Sequence, residues 1–100
     1  MAVPHKGELS APTSALNDPN GTEIIRGWVA NNGLEISLLP GAWDDPAAWG
    51  IALADVIRHL ADAYSQTQGR SREDTVARIT SLIHAELDAP TDQPSGGFVS

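Results

Sequence analysis

Apolar residues recur with a period of two over residues 22–30 and 34–40, and with spacings of three and four from residue 49 onward. The first pattern predicts two strands. Asn31-Asn32-Gly33 separates them, and a two-residue turn at Asn32-Gly33 would place Val29 opposite Ile36, Gly27 opposite Leu38 and Ile25 opposite Pro40. One face of that hairpin reads Ile25, Gly27, Val29, Leu34, Ile36 and Leu38, almost wholly apolar, and is expected to be the core face. The other carries Arg26 and Glu35 together with Ile24, Trp28 and Leu39, which have no reason to seek water. These three are the predicted interface residues, to be covered by the N-terminal arm or by a second copy.

The second pattern predicts two helices. Asp45 suits the N-cap and Pro46 the first helical position, and Trp49, Leu53, Val56, Ile57, Leu60 and Tyr64 make one stripe over a helix at 46–66. After Gly69, Ser71 and Asp74 have the spacing of a capping box. Val76, Ile79, Leu82, Ile83 and Leu87 then mark a helix at 72–88, with Asp74 and Arg78 placed for an ion pair. Pro90 stops it. Residues 1–21 hold Pro4, Pro12 and Pro19 without sustained periodicity and read as an irregular arm, and 90–100 read as a disordered tail. The expected fold is α+β, an antiparallel hairpin packed on an antiparallel pair of helices, as one domain over 22–89.

Glu23-Ile24-Ile25-Arg26-Gly27-Trp28, Asn32-Gly33-Leu34, Leu38-Leu39-Pro40, Ala42-Trp43, Asp45-Pro46, Ala48-Trp49-Gly50, Leu53-Ala54-Asp55-Val56 and Arg58-His59 carry a likeness. In these residues the stretch 23–64 resembles a family of short bacterial proteins catalogued only as a domain of unknown function. The resemblance implies a shared fold. It transfers no reaction, ligand or partner.

Composition narrows the function classes. A chain of 100 residues with net charge -7 and one lysine should repel phosphate backbones and anionic membrane surfaces, so neither nucleic acid nor membrane is an expected partner. The lack of cysteine excludes thiol chemistry and disulfides. Without an apolar leader or a run of roughly 20 apolar residues, the protein reads as soluble and cytoplasmic.

Few residues suggest chemistry. Asp55, His59 and Asp62 line one strip of the first helix and could hold a divalent metal or orient a base, although a solvated face is the commoner use of that pattern. Glu86 falls inside the stripe of the second helix, where burial would raise its pKa. In an antiparallel pair it would come level with Trp49. Trp43, Trp49, His59 and Glu86 are therefore the predicted pocket residues. No phosphate-cradling loop or nucleophile elbow occurs, and no catalytic residue, metal or cofactor is expected. The chain reads as a small non-catalytic interaction or assembly module, pairing with a copy of itself or another protein through the sheet edge. The alternative is a small-molecule-binding protein or small enzyme with a pocket between helices and sheet.

Overall fold

The computed structural model describes residues 5–91 and, as backbone, residues 95–98. It has the α+β class: a hairpin of β1 (Ile25–Ala30) and β2 (Gly33–Leu38), followed by two long helices. Before the hairpin lies a single helical turn, α1 (Thr13–Leu16), which the reading of residues 1–21 as wholly irregular did not contain. A 3-10 turn at Pro40–Ala42 leads into α2 (Ala47–Gln68), and α3 (Arg72–Asp88) follows after three residues.

The two-residue turn is Asn31-Asn32, not Asn32-Gly33. Both asparagines have positive φ, 53° and 63°, as a type I′ turn demands. Asparagine tolerates the left-handed region because its short amide bonds locally, so Gly33 is released into the strand. Val29 accordingly faces Leu34 and Trp28 faces Glu35, while the Asn31 amide donates to Glu35 Oε1 at 3.1 Å. The shift in pairing is two residues, an even number, so each side chain keeps its expected face.

Proline 46 opens α2 with φ -56°, and Asp45 Oδ1 accepts from the Ala47 N–H at 2.9 Å. Gly69, at φ 69°, closes it in the left-handed conformation that an L side chain rarely adopts. Ser71 then caps α3 by accepting from the Asp74 N–H at 3.2 Å. The same hydroxyl donates to Glu73 Oε2 at 3.0 Å, which fixes the capping serine. So short a connection between two packed helices makes them antiparallel.

The seam between α2 and α3 is built from small residues. Ala61 and Thr75 are the buried pair, flanked by half-buried Ile57, Ser65, Val76 and Ile79. The Thr75 hydroxyl donates to the Ser71 carbonyl at 3.0 Å, so its burial leaves no polar atom unsatisfied.

A third strand, β3 (Ser95–Phe98), lies parallel to β2, with Glu35 opposite Ser95 and Leu38 opposite Phe98. The expectation of a disordered tail is thus corrected for these four residues, since backbone pairing needs no apolar side chains in Ser-Gly-Gly-Phe. Residues 92–94 and 99–100 of that tail lie outside the described residues. The sheet order is β1-β2-β3.

Candidate interaction surface

The two faces of the hairpin are in different situations. Over the Trp28 face lies the N-terminal arm. The His5 ring stands edge-on to the indole of Trp28, centroids 5.2 Å apart, and Gly7 runs beside the same indole. Arg26 anchors this cover. Its guanidinium reaches Glu8 Oε1 at 2.5 Å and Glu23 Oε2 at 2.9 Å, with a second bond from Nε to Glu23 Oε1 at 3.0 Å. The hydrogen bond to Arg26 holds the Glu8 carboxyl below the usual carboxylate range, and the bonds to Glu23 and then Glu8 fix the guanidinium in its charged form. Ile24 and Leu39 are half-buried at the base of the same face, where the Leu39 N–H donates to the Ile24 carbonyl at 2.9 Å. Of the three predicted interface residues, Trp28 therefore lies under the chain's own arm.

The face expected to be the core face is the open one. Val29 is 89% exposed, Leu34 52% and Ile25 40%. Neither helix packs broadly against a strand. The helix stripe is open too: Leu53, Val56, Leu60 and Tyr64 on α2, and Leu82 and Ile83 on α3, are all exposed. Among the described residues, Ala61 is the only buried hydrophobic side chain.

Hairpin and helices share a junction at the tryptophans. Trp43 and Trp49 meet edge to face, centroids 5.3 Å apart, over a shallow hollow of about 370 Å³ that Leu38, Pro40, Asp44 and Pro46 also line. The other two predicted pocket residues are elsewhere. His59 stands ten residues beyond Trp49, about 15 Å along the helix, with its ring in solvent and its Nδ1 2.8 Å from the Asp55 carbonyl. Asp62, instead of joining His59, accepts from Arg72 Nε at 2.8 Å, so the acidic strip does not converge. The described residues contain no cluster of three metal-ligating side chains.

Glu86 is exposed and turned back along its own chain, accepting from the N–H of Thr91 at 2.8 Å and from its hydroxyl. The Thr91 hydroxyl and amide lower its pKa, opposite to the rise that burial would cause. Arg78 makes no ion pair with Asp74 and lines a groove of about 320 Å³ with Leu60, Tyr64, Arg70, Thr75 and Ile79. Sequence reasoning passed over this groove; its signal is the small residue Thr75 between large ones.

A family model described as Domain of unknown function (DUF5076) matches residues 8–91 of the chain. The chain belongs to this family. The match begins at residue 8, so Glu8, the arm's anchor on Arg26, falls within the DUF5076 domain. No curated protein matches. Among solved structures, the chain is similar to one from the photosynthetic bacterium Rhodopseudomonas palustrus CGA009, provisionally named a pyruvate dehydrogenase. Identity is 28% over 100% of both chains, with a TM-score of 0.73. That name belongs to the neighbour and assigns no role to a residue of this DUF5076 chain.

Proposed function

We propose that this domain is a non-catalytic interaction module whose folding is completed by association. One observation carries the reading: Ala61 is the only buried hydrophobic side chain among the described residues. Folded domains ordinarily place their large aliphatic side chains inside, and single exposed ones need no explanation. Here a hairpin face and a helix stripe are both open. The accessible surface of the chain is 8496 Å², whereas about 5,400 Å² is usual for a compact monomer of 10.5 kDa. The candidate polar groups do not converge either: Asp62, Glu86 and Glu8 are each taken up by structural hydrogen bonds.

Association linked to folding makes stability depend on protein concentration. Thermal melts over a hundredfold concentration range, with sedimentation velocity at the same concentrations, test the reading. The expected result is a melting temperature that rises with concentration and a species heavier than one chain. A monomer with a concentration-independent melt, whose Leu53 and Val56 resist covalent surface labelling, would overturn it.

The hollow at Trp43 and Trp49 supports a second reading, a site for a small apolar or planar ligand, because the perpendicular indoles leave an aromatic edge and face open together. A thermal-shift screen discriminates, since a ligand that binds the folded state raises the melting temperature by mass action even where concentration does not.

A further inference from the structure

The open hairpin face and the open helix stripe are the two halves of one α/β layer, and the chain does not bring them together. A sheet face such as that of Ile25 and Val29 is stable when it lies on helices, and a stripe such as Leu53, Val56 and Leu60 is stable when it lies under a sheet. Resting on the interaction-module reading, we propose that the partner is a second copy of this chain, docked reciprocally: the hairpin face of each protomer lies on the α2–α3 stripe of the other.

Three features select this occupant. A foreign partner would have to offer both a sheet face and a helix-pair face at the right separation. A second copy offers both by construction, and a two-fold axis satisfies the two contacts at once. The area also suffices, because each chain shows about 3,000 Å² more surface than a compact monomer, about 6,000 Å² for two, and obligate homodimers bury roughly 2,000–5,000 Å² in total. Finally, the other sheet face is taken. The arm covers the Trp28 face through His5 and Glu8, and β3 occupies the outer edge of β2, which leaves the outer edges of β1 and β3 as the alternative contacts. Each copy carries net charge -7, so the attraction is apolar and works against charge repulsion; salt screens the repulsion and tightens the dimer.

The chain has no cysteine, which allows a clean cross-linking test. Val29→Cys and Leu60→Cys chains, one of them isotopically labelled, are mixed, unfolded and refolded together, then treated with a short thiol–thiol linker. Circular dichroism first confirms that each variant folds. The expected product is the 29–60 cross-link between a labelled and an unlabelled chain, well above either homotypic cross-link and increasing with added salt. A predominant 29–29 cross-link means like-on-like or β1 edge pairing; it overturns the reciprocal geometry and leaves the interaction module standing. The doubly substituted chain provides the second check. If it closes a 29–60 cross-link within one chain, as a monomer at high dilution, the two halves meet intramolecularly, and both the second copy and the module reading fall.

Discussion

Replacing Ala61 with leucine tests whether the helix seam is as close as the structure makes it. Ala61 is 3% exposed, on the α2 face that meets α3 near buried Thr75. A leucine there inserts three further carbons at a position closed to solvent, and neither helix can move away without loosening the three-residue connection at Gly69. Overpacking of this kind costs about 1–3 kcal/mol. In a domain of this size each kcal/mol lowers the melting temperature by roughly 4–8 °C, so a cost of about 2 kcal/mol corresponds to a fall of roughly 8–16 °C. Ala63→Leu is the control, because Ala63 is exposed on the same helix and leucine is nearly as good a helix former as alanine. Urea titrations followed by circular dichroism, all at one protein concentration, give the midpoints. Ala61→Leu should shift the midpoint and leave the slope unchanged. Equal midpoints for Ala61→Leu and Ala63→Leu would refute the close seam and the small-residue logic behind it.

Four further outcomes are expected. Ser71→Ala removes the cap on the Asp74 amide and should cost about 1 kcal/mol in the same titration. Gly69→Ala forces a side chain into the left-handed region and should cost about 1–2 kcal/mol, although nothing crowds the added Cβ. Asn32→Ile meets the same penalty at φ 63°, whereas Asn32→Gly should be at least as stable as the parent. The arm's anchor should be acid-labile: the Glu8 pKa is lowered in the folded state from 4.5, so its contribution is present above that value and is lost as pH falls through the lower folded one. Proteolysis of the arm and the fluorescence of Trp28 report that release, and Glu8→Gln should reproduce it at neutral pH.

The hairpin's faces were legible in the sequence because a period-two pattern survives an even register slip. The register was not, since Asn31-Asn32 and Asn32-Gly33 are both chemically able turns, and the Asn31–Glu35 bond that favours the first is seen only once the strands pair. Helix limits were legible in Asp45, Pro46, Gly69 and Ser71, each of which takes the capping or terminal role its chemistry suits. Large apolar residues misled about packing. The stripe of Leu53, Val56 and Leu60 was expected to be buried within the chain, but the contact between the helices goes to Ala61 and Thr75, whose small side chains let the backbones approach. Two other features turned on partners outside their own element. Trp28 is covered by His5, more than twenty residues away, and Glu86 answers to Thr91 beyond the helix end, so neither environment could be read from local periodicity.

Where β3 pairs has a consequence for the order of folding. The hairpin closes over two residues and the helix pair over three, so both can form from local contacts in microseconds. Pairing Glu35 with Ser95 instead joins residues sixty positions apart, and the chain entropy of that closure is lost before any ladder bond is made. The parallel strand is therefore the last element to join, after α2 and α3 have already shortened the path between the two ends. A chain that ends at residue 91 should fold its hairpin and helices at nearly the parental rate and unfold faster. The third strand then acts as a latch on the finished sheet and plays no part in its nucleation.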